Sequence, residues 1–126
     1  MHRTVPLVVA GERHVARWDL GARWRLQNPE GQEPRKLLDL MLLAQQGDPQ
    51  TIAAWFQAVL ESGRLYQRTD RPPYTLEESL VIADSFALDK LGDFINRVFE
   101  VGNTGVDRTP NGEEVATGAE GKAPTT

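Results

Sequence analysis

The chain of 126 residues contains no cysteine and only two histidines, His2 and His14. Without cysteine it forms no disulfide bond, has no thiol nucleophile and cannot bind zinc through thiolates. The two histidines, one of them at the extreme N-terminus, do not supply the ligand set of a metal site or a hydrolytic triad. We expect His14 to be a surface residue of a strand, and we predict no catalytic residue, metal or cofactor.

The chain also lacks a long hydrophobic run. No stretch approaches the roughly 20 apolar residues that span a bilayer, and the first residues do not have the apolar segment of a signal peptide. The formal net charge is -4, and the basic residues are too scattered to form the stripe of a nucleic-acid-binding protein. We therefore predict a cytoplasmic protein that binds neither membranes nor nucleic acid.

Acidic and glycine-rich segments likewise offer no reactive centre. Glu77 and Glu78 follow Thr75, a pattern typical of the first turn of a helix, where the helix dipole stabilises negative charge. Residues 102–105 do not form a phosphate-binding loop, because no lysine follows at the spacing of a Walker motif. We therefore expect that the protein is not an enzyme.

Residues 4–20 have the pattern of a β-hairpin. β-Branched residues flank Gly11 and Glu12, the pair that we expect to form the turn. The continuously apolar run 7–10 suggests that the first strand is buried on both faces. A lone hairpin is marginally stable in water, so it must pack against helices.

Capping and turn signals predict helices throughout the rest of the ordered chain, with Asp19, Asp48 and Thr75 as N-caps. Their expected bounds are residues 20–27, 34–46, 49–62 and 76–101. The second, apolar on more than one face, is expected to be the central helix, and Gly63 is expected to end the third. The fourth is either one helix or two, because Gly92 and the polar residues near position 84 permit a break.

The composition changes at Gly102. Beyond it Gly, Thr, Asn, Glu, Pro and Ala dominate and no aromatic residue occurs, so this segment cannot build a core. We predict one folded domain over residues 1–101, mainly α with a short N-terminal β-hairpin, followed by a disordered tail over residues 102–126.

Aromatic side chains are the candidates for contacts with a partner, because tryptophan is enriched at interface hot spots. Trp55 and Phe56 are adjacent and lie about 100° apart on a helix, so a narrow core contact cannot bury both equally. Trp24 lies between two arginines on the short first helix. The candidate partner-binding residues are Trp24, Trp55, Phe56, Phe94 and Phe99.

Residues 8–20 combine an apolar strand, Gly-Glu, a second strand and Asp-Leu. This pattern resembles the opening of the tail assembly chaperones of long-tailed phages and related gene transfer agents. The segment Thr75-Leu76-Glu77-Glu78 resembles the Thr-x-Glu-Glu entry of that family into its last helices. The likeness covers residues 4–101 in the order and lengths of the elements. Residues 26–29 depart from the family, which more often continues an acidic helix there, and the C-terminal tail is longer.

The resemblance implies a non-enzymatic protein that binds the phage tape-measure protein and keeps it soluble during assembly of the tail tube. It also implies release as the tail tube protein polymerises, residence in the host cytoplasm and absence from the mature virion. Helix-in-groove packing suits such a partner, and self-association would add avidity along it. The alternatives are another phage morphogenesis protein, either a head-tail connector or a tail-completion protein, and a helical protein-binding regulatory module.

Overall fold

The computed structural model describes residues 3–107 and the backbone of residues 114–115. Within these residues helices account for most of the regular structure, and the expected class, mainly α with an N-terminal antiparallel hairpin, is confirmed. In chain order the elements are β1 (Thr4–Val9), β2 (Glu12–Arg17), α1 (Leu20–Gln27), α2 (Leu37–Gln45), α3 (Pro49–Gln67), α4 (Leu76–Asp84), α5 (Leu88–Thr104) and β3 (Glu114–Val115).

The hairpin turns at Ala10 and Gly11, one residue earlier than expected. Both residues have positive φ, 52° and 79°, as in the two-residue turn that matches the twist of paired strands. β1 buries alternate residues on one face, while the residues between them stay partly exposed. The expectation that β1 is covered on both faces is therefore wrong.

The central helix is α3, not α2. Ten residues of α3 are buried, whereas Leu40 is the one fully buried residue that the structure describes in α2. α3 also continues through Gly63, which was expected to end it. A Cβ at Gly63 would lie 1.9 Å from the backbone oxygen of Val15, so this glycine permits close contact between α3 and β2. The helix ends instead at Gln67, and Arg68, which follows it, has a left-handed conformation.

α2 begins at Leu37, later than the expected start at Pro34. Its N-cap, Lys36, makes no side-chain capping hydrogen bond. α2 packs against α1 and α3, and this limited contact explains why an apolar helix stays largely exposed.

The C-terminal helical region contains two helices, with the break at residues 85–87. Phe86 in this break is buried, while Gly92 lies within α5. α5 passes the expected domain boundary at Val101, because Gly102 allows it to pack on Trp18: a Cβ there would lie 2.3 Å from the Trp18 backbone oxygen.

Regular structure thus extends beyond the boundary expected at residue 101. Arg97 also holds Asp107 by an ion pair of 2.7 Å. β3 lies further along and pairs in parallel with β1, at Leu7 and Val8. The disordered tail expected from residue 102 is therefore corrected for residues 102–107 and 114–115. The other residues of that tail lie outside the described residues.

An aromatic cluster forms the middle of the core. Phe56 and Phe94 stack with ring centroids 5.8 Å apart, and Trp55 meets Phe56 edge to face at 5.2 Å. Phe86 lies 4.9 Å from Phe94. Aromatic rings bury large apolar areas, so this cluster contributes strongly to the stability of the fold.

Candidate protein-binding surface

Three of the five expected partner-binding residues lie in the core. Phe56 and Phe94 are at most 1% exposed, so their expected role as surface anchors is wrong. Trp55 is 3% exposed and forms part of the wall of a groove described below. The physical reason is that α3 is covered over a wide arc by β2, α1 and α4. Adjacent aromatic residues can both be buried when a helix is surrounded in this way.

Trp24 remains a candidate, because 66% of its surface is exposed. It lines a wide cleft of about 510 Å³ that also includes Gln57, Tyr74 and Leu76. Phe99 is partly buried against the core cluster. Its ring packs edge to face on Trp18, at 4.5 Å.

A second, more apolar cavity lies between α2 and α5 and is here named the α2–α5 groove. Its volume is about 150 Å³. Leu40, Met41 and Ala44 line it from α2, and Gly92, Ile95 and Phe99 line it from α5. Trp55 contributes from α3, and none of the described lining residues is charged. The groove therefore fits apolar groups.

The outer face of α2 extends this apolar surface. Leu38, Met41 and Leu42 are exposed, and three- and four-residue spacings put them on one side of the helix. Met41 also lines the groove, so the exposed face and the groove are continuous. Contiguous exposed apolar side chains are a feature of interaction surfaces, and this makes the groove and the outer face of α2 the candidate site.

Acidic residues lie beside the groove on α5. The acidic stripe comprises Asp89, Asp93 and Glu100, which share one side of the helix by their spacing. Asn96 joins the two regions, because it lines both the groove and the shallow surface formed with Asp93, Arg97 and Glu100. The groove thus has an apolar interior and an acidic border on the α5 side.

The indole of Trp55 has an unsatisfied donor. Its Nε1–H is buried and has no hydrogen-bond acceptor among the described residues. Such a group costs about 1–3 kcal/mol. No sequence pattern could have shown this, since it depends on which side chains surround the ring.

His14 was expected to be a surface residue, and this prediction is wrong. Its side chain is buried, with 3% exposure. It shares the inner face of β2 with Ala16, and its Nδ1 lies 2.6 Å from the Tyr74 hydroxyl. Burial raises the pKa of Tyr74 to about 12, so the phenol stays protonated. It donates to Nδ1 in the tautomer that carries the ring proton on Nε2, the nitrogen that lies 3.3 Å from the Glu12 carboxylate. Burial also lowers the pKa of His14 and outweighs the opposing effect of the Glu12 carboxylate.

The His14–Tyr74 pair joins the hairpin to the segment between α3 and α4. Tyr74 is held there by its backbone N–H, which donates to Glu61 at 2.8 Å, and by its carbonyl, which accepts from Gln57 at 3.0 Å. The Arg71 guanidinium lies over its ring. These contacts give the pair a structural role in closing the core.

Asp19 makes a similar connection between α1 and α3. Its carboxylate caps α1 through the Ala22 N–H at 2.8 Å and accepts from the Ser62 hydroxyl at 2.8 Å. Burial acts to raise the pKa of Asp19, but the hydrogen bonds from Ala22, Ser62 and Arg17 lower it overall. The expected N-cap is confirmed, while its bond to α3 could not be read from the sequence.

The described part of the chain has neither a metal-binding cluster nor a helix that spans a membrane. Within it, no three His, Asp or Glu side chains come close enough to hold a metal ion. Each helix described is too short or too polar to cross a bilayer. Comparisons with protein-family models, curated proteins and solved structures find no match to the chain.

Proposed function

We propose that the protein is a non-enzymatic tail assembly chaperone, which binds the phage tape-measure protein and keeps it soluble while the tail tube assembles. The observation that supports this proposal is the α2–α5 groove, continuous with the exposed apolar face of α2. The resemblance of residues 4–101 to that family supplies the identity of the partner.

A long helical partner with apolar faces matches this surface in chemistry. Such faces aggregate in water unless another apolar surface covers them, and a groove between helices covers one face of a partner helix. Each copy would bind weakly, and self-association along the partner would strengthen the assembly. In this proposal the protein acts in the host cytoplasm and leaves when tail tube protein covers the tape-measure protein.

Co-expression with the tape-measure protein of the same phage tests this function. We expect the chaperone to raise the soluble fraction of that protein after ultracentrifugation, and we expect Leu38→Ser with Leu42→Ser to abolish the effect. Val81→Ser is the matched control, because Val81 is exposed on α4 and does not line the groove. Failure of the wild-type chain to solubilise the tape-measure protein would overturn the proposal.

Mass spectrometry of purified virions separates this function from its main alternatives. A chaperone is expected in lysates and absent from finished particles. Stoichiometric amounts in particles would instead identify a head-tail connector or a tail-completion protein.

A further inference from the structure

We propose that the α2–α5 groove binds one helix of about three turns, which inserts a large apolar side chain over Gly92 and carries Lys or Arg on the flank that faces Asp89 and Asp93. The inference rests on the proposed function only for the name of the partner. The shape and charge of the occupant follow from the groove itself.

Gly92 lies on the side of α5 that lines the groove. It lies inside α5, where glycine costs about 0.5–1 kcal/mol relative to alanine. Gly63 and Gly102 offset that cost through close packing, because a Cβ at either position would lie only 1.9 or 2.3 Å from a backbone oxygen. A Cβ on Gly92 would meet nothing within 4 Å, so the described fold does not require glycine there. Its effect is to leave a hole in the wall of the groove.

The volume of the groove indicates what enters it. An apolar cavity of about 150 Å³ accepts a group the size of benzene, and the groove has this volume. Its walls at Met41, Ile95 and Phe99 are apolar. One Leu, Met or Phe side chain of a partner helix therefore fills it, as a knob fills a hole between packed helices.

The length of the apolar stripe on α5 sets the length of the occupant. Leu88, Gly92, Ile95 and Phe99 follow each other at four- and three-residue spacing and so share one side of α5. Leu88 is 90% exposed, which extends the stripe beyond the cavity. At 1.5 Å per residue the stripe is about 16 Å long, equal to about three turns of a partner helix.

Charge on α5 sets the chemistry of the partner's flank. Asp89 and Asp93 are exposed and lie about 100° around the helix from the apolar stripe, on its solvent side. Lys90 and Arg97 lie still further round, and Arg97 is paired with Asp107. A partner helix seated in the groove would thus meet carboxylates along one flank. Complementary Lys or Arg side chains favour binding there, and acidic ones oppose it.

Two synthetic helical peptides of about 15 residues test the proposal with the full chain. Both carry the same Leu and Ala face, one with Lys and the other with Glu at the flanking positions. We expect fluorescence anisotropy to show binding of the Lys peptide at least about ten-fold tighter than of the Glu peptide, with the difference shrinking as salt is added. Equal affinity for both peptides would overturn the inference about charge.

Substitutions in the groove locate the binding. Gly92→Leu fills the hole and is expected to weaken the Lys peptide at least about ten-fold while circular dichroism stays unchanged. Val81→Leu on α4 is its matched control. Asp93→Asn is expected to weaken the Lys peptide and not the Glu peptide, and Glu77→Gln on α4 is the control for charge. Unchanged binding by Gly92→Leu would overturn the groove as the site.

Two further measurements distinguish a failure of this inference from a failure of the proposed function. If Gly92→Leu still solubilises the tape-measure protein, the inference fails while the function stands. If the peptides behave as expected but the tape-measure protein stays insoluble, the function fails while the inference stands. Sedimentation of the chain alone tests a second copy as the occupant: self-association that Gly92→Leu abolishes would overturn the assignment to another protein.

Discussion

α2 and α3 are both rich in apolar residues, yet they bury very different amounts of surface. Ten residues of α3 are buried, while α2 leaves Leu38, Met41 and Leu42 exposed. α3 has β2 and three helices, α1, α2 and α4, packed against it, whereas α2 packs against α1 and α3. The comparison teaches that apolar content alone does not decide burial. A helix at the border of the fold leaves part of its apolar surface exposed.

Removing an aromatic ring from the core around α3 should give the largest loss in the free energy of unfolding. We expect Phe56→Ala to lower the free energy of unfolding by about 4 kcal/mol, because it leaves a cavity in the aromatic cluster. Leu42→Ala on α2 should change it by less than about 0.5 kcal/mol. Urea denaturation followed by circular dichroism measures both. Similar losses for the two variants would contradict the burial difference.

Gly63 tests the contact between α3 and the hairpin. Gly63→Ala places a Cβ where the Val15 oxygen lies, and backbone cannot move aside as a flexible side chain can. We expect a loss of about 3 kcal/mol in the free energy of unfolding, measured in the same way. A neutral result would show that β2 does not pack this closely on α3.

The His14–Tyr74 pair predicts how pH affects the core. The unfolded chain takes up a proton on His14 near pH 6.5, while in the folded protein burial lowers the pKa of His14. Below pH 6.5 the unfolded state therefore binds more protons, and the free energy of unfolding decreases as pH falls. One such group contributes a slope of at most about 1.4 kcal/mol per pH unit.

Denaturation of wild type and of His14→Gln between about pH 7.5 and pH 5.5 measures this slope. We expect His14→Gln to flatten it, while His2→Gln, the matched control for the other histidine, leaves it in place. A wild-type slope that persists in His14→Gln would assign the effect to another group.

A substitution at Gly92 is expected to change the free energy of unfolding least, and to raise it, unlike the substitutions in the core. Gly92→Ala should raise the free energy of unfolding by about 0.5–1 kcal/mol, because alanine favours the helix and its Cβ has open space. Thermal unfolding measures the change. A loss of stability would mean that this position is packed in the free protein, which would also remove the hole proposed for a partner.

Features that depend on neighbouring residues were predicted well. The N-caps Asp19, Asp48 and Thr75 each accept a backbone N–H three residues on, as expected from residue type and spacing. The hairpin and the start of α3 were also placed correctly. These features depend on hydrogen bonds within one turn or one hairpin, so a short stretch of sequence contains their cause.

The candidate site was predicted less well. Of the five aromatic residues, Trp24 is exposed and Phe99 partly so, while the other three fill the core. The groove itself was not expected, although Trp55 and Phe99 line it, because its walls come from α1, α2, α3 and α5. Gly63 and Gly92 both lie within helices and differ only in what faces them.

The sequence by itself determined the mainly helical class, the N-terminal hairpin, the capped helix starts and the lack of any thiol chemistry. It did so because backbone preferences and hydrogen bonds act over a few residues. Only the tertiary structure decided that α3 is central, that His14 is buried against Tyr74 and that an apolar groove lies open beside an acidic stripe. Burial depends on residues brought together from distant parts of the chain, and that packing defines both the core and the apolar surface left exposed.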